Sequence, residues 1–213
     1  MQDKQKEPSK KNTMKKVIMM VVAALFATTM NAQREVGSVT IQPRVGFNLA
    51  NLTDGGDMRL GFAGGAEVEY QATDMFSISA GAMFSMQGSQ DDQRIDGVDV
   101  DAKIRLNYIH MPIMANVYVA KGLAVKLGIQ PGVNITAEYE IEAAGISMSG
   151  DLDGAPFHYD MKTLDFSIPI GISYEYNNFV IDGRYNWGLT KVVDGAKDKN
   201  SVFQFTIGYK FDL

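Results

Sequence analysis

Few residues in this chain are equipped for covalent chemistry. It has two histidines, His110 and His158, and no cysteine among 213 residues, which removes thiolate nucleophiles, thiolate metal sites and disulfides together. A catalytic histidine needs a nucleophile or a second titratable group set against it. No Gly-x-Ser-x-Gly elbow, metal-spaced histidine pair or phosphate-cradling glycine loop accompanies either one. His110 therefore reads as structural and His158 as solvated, and neither an enzyme activity nor a cofactor is expected. The carboxylates Asp91, Asp92, Asp96, Asp99 and Asp101, and later Asp151 and Asp153, present hard oxygens of the kind Ca²⁺ takes. Their spacing matches no defined calcium loop, so they read as acidic, solvated loops. A third set carries more information: Arg44, Glu67, Glu69, Lys126, Asp165, Glu175, Asp182, Arg184 and Lys210. Each falls on the polar parity of a segment that alternates between polar and apolar residues.

The segments that must position these charges have period 2. In the last one, Phe203, Phe205, Ile207, Tyr209, Phe211 and Leu213 fall on one parity, and Gln204, Thr206, Gly208, Lys210 and Asp212 on the other. Similar alternation predicts strands over about 39–50, 60–71, 75–87, 102–119, 123–139, 163–176, 179–190 and 201–213. In the fourth, Ile104, Leu106 and Tyr108 share the apolar parity until the phase slips to Ile109, Met111 and Ile113; a β-bulge at His110 and Pro112 would restore the faces. Pro131 and Pro169 sit mid-strand and call for local bulges as well. The strands reach the ~9–11 residues that cross a bilayer at a tilt, where soluble strands average ~5–6. The connections 51–59, 88–101, 140–162 and 191–200 are long, whereas 72–74, 121–122 and 177–178 are tight turns. An even strand count with alternating long and short connections is the rhythm of a membrane barrel, its short turns periplasmic and its long loops outside. The fold class is all-β: an eight-stranded antiparallel up-and-down transmembrane β-barrel, apolar side chains toward lipid and polar ones within. A soluble cup with the apolar side inward would leave the strand length without a reason.

Two features agree with lipid on the outside. Tyr70, Phe76, Tyr174, Tyr176, Phe179, Tyr209 and Phe211 lie beside the short turns or the C-terminus, and Phe84, Tyr108, Tyr139, Trp187 and Phe203 near the long loops, as two aromatic girdles would. The nine single charges fall on the parity facing the lumen. Eight strands enclose a space that side chains just fill, so these charges are expected to pair and plug it rather than line an open pore.

Residues 1–32 form an N-terminal extension and signal peptide. Lys15 and Lys16 precede the apolar run Val17–Ala27, which is too short to span, and cleavage is expected between Ala32 and Gln33. The leader carries Lys4, Lys6, Lys10, Lys11, Lys15 and Lys16 against Asp3 and Glu7. Its loss leaves the barrel domain, 33–213, four charges more negative than the −5 of the whole chain. That balance disfavours nucleic acid as a partner.

The leader end Met30-Asn31-Ala32-Gln33, the phrases Arg44-Val45-Gly46-Phe47-Asn48-Leu49 and Leu106-Asn107-Tyr108-Ile109-His110-Met111-Pro112-Ile113, and the closing Ile207-Gly208-Tyr209-Lys210-Phe211 resemble the small outer-membrane β-barrels of the Bacteroidetes type, called porin family or PorT-like, with OmpA/OmpX-like eight-stranded architecture. The resemblance implies a barrel in the cell outer membrane, with lipid and lipopolysaccharide as neighbours, the barrel-assembly machinery as a partner during insertion, and a surface or secretion partner; its PorT-like side implies, as an alternative, a component of a secretion or envelope-assembly system. It implies no catalytic residue. Such barrels often end on an aromatic; here Phe211 lies two residues before the terminal Leu213, on the same face.

Overall fold

The computed structural model describes residues 34–53, 55–95, 98–152, 162–192 and 198–213; the leader and its expected cleavage bond lie outside them. Eleven strands follow in order: β1 (Val39–Leu52), β2 (Gly55–Thr73), β3 (Phe76–Ile95), β4 (Val98–His110), β5 (Ile113–Ala120), β6 (Leu123–Ala143), β7 (Ile146–Asp151), β8 (Leu164–Tyr176), β9 (Phe179–Lys191), β10 (Lys199–Tyr209) and β11 (Phe211–Asp212). Ten of them make eight staves of a ring, and β7 lies off it, paired with β6. β4 and β5 are one stave, interrupted where Pro112 has no N–H to give. The ladder bridges the gap through Met111 N to Pro131 O at 2.8 Å and Gly81 N to Pro112 O at 3.1 Å. β10 and β11 are another stave, broken at Lys210. All neighbours pair antiparallel, and β1 closes on β10 in continuous register from Arg44↔Gly208 to Leu52↔Asn200. Such closure leaves no strand edge in the ring, a requirement where no water can satisfy backbone groups.

Three tight turns mark one end of the ring. Asn177 and Asn178 both take positive φ, 47° and 70°, matching the right-handed strand twist as a primed turn does. Long hairpins mark the other end. Of the stretches expected as loops, 51–59 and 88–101 are largely strand in their described residues, and 140–151 is mostly strand: β2 starts at Gly55, the β3–β4 ladder runs to Ile95↔Val98, and β6 and β7 form a hairpin through Ala144 and Gly145.

Burial is inverted relative to a water-soluble protein. Arg44, Glu67, Lys126, Asp182 and Arg184 are each at most 3% exposed, whereas Ile172, Ile181 and Ile207 on the outer surface are more than half exposed. In water each such outward side chain would forgo the ~1.5–3 kcal/mol that burial gives; against acyl chains the same surface is satisfied.

Stave four differs from the expectation, and the reason is environmental. Along β4 and β5 the even-numbered residues face inward without interruption, through Leu106, Tyr108, His110, Met114, Asn116 and Tyr118. No bulge occurs at His110 or Pro112. The chain keeps its faces, and the apolar residues change sides. Below about Tyr108 the outer face carries Ile109, Met111 and Ile113; above it carries Lys103, Arg105 and Asn107. Such a change of outward side chains is what the passage from lipid to water selects. The neighbouring β6 keeps its apolar residues on odd numbers throughout, from Leu123 to Ile141, so it must flip faces. The register with β4 shifts between Asn107↔Thr136 and Tyr108↔Asn134, an extra residue at Ile135. Two girdle assignments are corrected accordingly. Tyr108 is 1% exposed inside the ring, and Tyr139 packs on the interior cluster of Leu106, Tyr108, Leu152 and Val192. Both belong to the aqueous zone, where an aromatic is better placed inward.

The prolines also differ from expectation. β8 keeps one register against β6 and β9 past Pro131 and Pro169, without bulges; the ladder only skips pairs beside Pro169, between Leu127↔Ile170 and Gln130↔Ser167. Gly132 lies opposite His110, and a Cβ there would stand 2.2 Å from the imidazole, so the ring occupies the space that glycine leaves.

Phe205 lies midway along β10, outward and stacked on Phe47 at 5.4 Å. Phe205→Lys is expected to lower the unfolding free energy of the refolded barrel in phospholipid vesicles by about 2–4 kcal/mol, read by urea titration. The inward Thr206→Ser should change it by less than ~1 kcal/mol.

Candidate functional site

The lumen is stacked in layers. Its central layer joins four staves: Arg44 from β1, Glu67 from β2, Lys126 from β6, and Asp182 and Arg184 from β9. Arg44 Nη1 donates to Glu67 Oε1 at 2.6 Å, and its Nη2 lies 3.1 Å from Asp182 Oδ2. Arg184 donates to Asp182 through Nε at 2.8 Å and Nη2 at 3.1 Å, a bidentate fork, and to Glu67 through Nη1 at 3.0 Å. Lys126 Nζ donates to Asp182 at 3.0 Å and lies 3.7 Å from Glu67. Three cations thus enclose two carboxylates, all nearly out of reach of solvent. Fork-shaped arginine pairs are the strong form of this contact.

Toward the short-turn end, Lys210 Nζ meets Glu69 at 2.9 Å and Glu175 at 2.8 Å. Ser77 and Tyr118 each donate to Glu69 Oε1, at 2.6 and 2.5 Å. Arg34, just inside the described N-terminus, closes this layer against Glu175 and Asp212. Toward the long-hairpin end, Asp165 receives Thr190 Oγ1 at 2.9 Å and Asn200 Nδ2 at 3.3 Å, and lies 3.1 Å from His110 Nε2. His110 stacks on Tyr108 with ring centroids 5.2 Å apart, and Asn200 also donates to Tyr108 Oη at 3.2 Å. Above this layer Leu106, Tyr108, Leu152 and Val192 form the apolar cluster already described.

All nine charges picked out by alternation face inward, in these three layers. Alternation did not single out Tyr118, Arg34, His110 or the Leu152–Val192 cap. Tyr118 shares the even parity of Asn116 and Met114 and was legible. Leu152 and Val192 come from connections, where parity has no meaning. The aromatics at the short-turn end, Tyr70, Phe76, Tyr174, Tyr176, Phe179, Tyr209 and Phe211, sit on the outer face, with Phe179 and Tyr209 edge-on at 4.9 Å and Tyr209 and Phe211 at 4.8 Å. Toward the other end Phe84, Trp187 and Phe203 face outward, Phe203 against Tyr185 at 4.8 Å.

His110 and Asp165 have hydroxyl and amide neighbours, each engaged in a hydrogen bond and walled in by the apolar cluster. His158, Asp96 and Asp153 lie outside the described residues. Asp91 accepts from Gln93 and Asp99 pairs with Arg94. Among the described residues no group of three or more His, Asp or Glu converges as a metal site would require.

Residues 31–194 match the family described as outer membrane protein beta-barrel domain. Among curated proteins, none matches the sequence. Solved structures of similar shape include Ail, the attachment invasion locus protein of Yersinia pestis, at 15% identity over 83% of this chain and 100% of that one, with a TM-score of 0.46. Neisserial surface protein A is 12% identical over 81% and 97% of the two chains, with a TM-score of 0.47. The N-terminal β-barrel domain of Pseudomonas aeruginosa OprF is 12% identical over 84% and 100%, at 0.37.

Asp182 meets the same three cations as Glu67 and accepts the more hydrogen bonds of the two. Asp182→Asn is expected to cost about 3–5 kcal/mol, because it strands buried cations. Adding Lys126→Gln should recover a sizeable part. Urea midpoints and heat-modifiable gel mobility of both refolded variants check this.

Proposed function

This chain belongs to the outer membrane protein beta-barrel domain family, and on that premise we propose that it is a structural and surface-interaction barrel of the cell outer membrane, its lumen plugged and its long hairpins turned outward. The observation that carries the reading is the central layer, where Arg44, Lys126 and Arg184 interlock with Glu67 and Asp182 across the ring. An eight-stave ring has little room beyond its own side chains, and the apolar cluster at the outer mouth adds a second closure. The role is not enzymatic.

Its partners in this reading are outer-membrane lipid and lipopolysaccharide around the belt and the barrel-assembly machinery during insertion. The machinery would read the outward C-terminal stripe that includes Tyr209 and Phe211. The resemblance to small Bacteroidetes-type and PorT-like barrels adds a surface or secretion partner, engaged at the long-hairpin end. A narrow channel is the second reading. It draws support from Thr40 Oγ1, Asn48 Oδ1 and Thr206 Oγ1, which are buried without a hydrogen-bond partner among the described residues, a condition that lumen water would relieve.

Planar-bilayer recording separates the two. The refolded barrel is expected to hold the baseline, while a variant with Arg44, Lys126, Asp182 and Arg184 all changed to alanine passes current. A steady ohmic current through the unaltered barrel would overturn the plugged reading.

A further inference from the structure

The β6–β7 hairpin rises beyond the ring. β6 pairs β8 only as far as Val133↔Leu164, and β7 pairs β6 alone. Opposed residues of neighbouring strands share a face. One face of this extension continues the apolar cap: Ile104 and Tyr139 lead to Ile141 opposite Met148, then to Ala143 opposite Ile146. The other face is acidic, with Glu138, Glu140, Glu142 and Asp151 beside Ser147 and Ser149.

Both features of β7 are unusual for a surface in water. Its outer edge has no strand partner among the described residues, and an unpaired edge is a template for a further strand. Edges of this kind are normally blunted by proline, lysine or an inward charge, and Ile146–Asp151 contains no proline or lysine. Its apolar face is bare as well: Ile141, Ile146 and Met148 are 41%, 69% and 63% exposed, above the level where lipid covers the wall. Arg105 takes up Glu140, while Glu142 and Asp151 have no ion pair among the described residues.

We propose that the outer edge of β7 is a docking strand for an extended peptide segment of a partner protein, whose side chains alternate between apolar and basic residues. Main-chain bonds to the edge supply affinity. Apolar side chains lie beside Ile146 and Met148, and basic ones on the opposite face near Asp151 and the glutamates of β6. The proposal rests on the surface-interaction reading and specifies its partner.

The test uses the full mature chain in zwitterionic phospholipid nanodiscs, with empty nanodiscs as background. The probe is an acetylated octapeptide alternating valine and lysine. Saturable binding is expected, weakened about tenfold or more by Ile146→Lys, by prolines at the central valines of the peptide, or by glutamate in place of its lysines. Absence of saturation, or equal binding of the proline-containing peptide, would overturn the proposal, as would self-association of the barrel through this edge in the absence of peptide. Ser147→Cys provides the separating control, since the native chain has no cysteine. Labelling of intact cells by a membrane-impermeant maleimide without peptide binding defeats the docking strand alone. Failure to label defeats the outward hairpins, and the surface reading with them.

Discussion

The fork between Arg184 and Asp182, shared with Arg44, Lys126 and Glu67, is the contact on which the ring depends. It joins β1, β2, β6 and β9, of which only β1 and β2 are neighbours in the backbone ladder. A barrel of eight staves has no core in the ordinary sense: its apolar side chains are spent on the outside. Its interior must hold together by directed contacts whose members cannot be lost singly, because each removal leaves a buried charge with nothing to oppose it. The flanking layers repeat the arrangement with fewer charges. Lys210 sits between Glu69 and Glu175, and Asp165 among His110, Thr190 and Asn200.

Alternation made the ring legible because a period of two leaves no choice of face once one side is lipid. Phe203 to Leu213 and Phe179 to Leu189 could be assigned residue by residue, and the nine inward charges followed. The same rule misled at the outer boundary. Ile104, Leu106 and Tyr108 are apolar on the even parity, and Ile109, Met111 and Ile113 on the odd. A reader who assumes one environment must insert a bulge. The chain instead runs straight and changes environment. β6 resolves the same boundary the other way, keeping its apolar parity and turning its faces with the extra residue at Ile135. Neither solution is visible in one strand alone; the register shift between the two is their mutual consequence. Tyr108 and Tyr139 were misplaced for this reason.

The hairpins were hidden for a different one. Ala144 takes φ of 52° and Gly145 78°. Ala-Gly is a weak turn signal, since alanine seldom adopts that conformation. Glu138 to Ala143 keeps the odd apolar parity of β6 but puts a glutamate at every even position, and that run of charge reads as a solvated loop when it is the same strand continuing. Arg34 and the Leu152–Val192 cap lay beyond any periodic rule, because they come from segments without a face.

The boundary also explains where recognition belongs. Within the belt, the outer surface meets acyl chains and the inner surface is occupied by its own ion pairs, so neither offers a place for a protein partner. Above the belt the sheet goes on, with its apolar side turned toward the axis and its acidic side toward water. Among the described residues the staves no longer close over the apolar side: β7 pairs with β6 alone. Ile146 and Met148 therefore remain bare where water is the solvent, at roughly 25 cal/mol for each Å² of apolar surface not buried. Among the described residues, a sheet that closes on itself in lipid leaves β7 paired on one side, and the apolar side chains Ile146 and Met148 stand bare on that same strand.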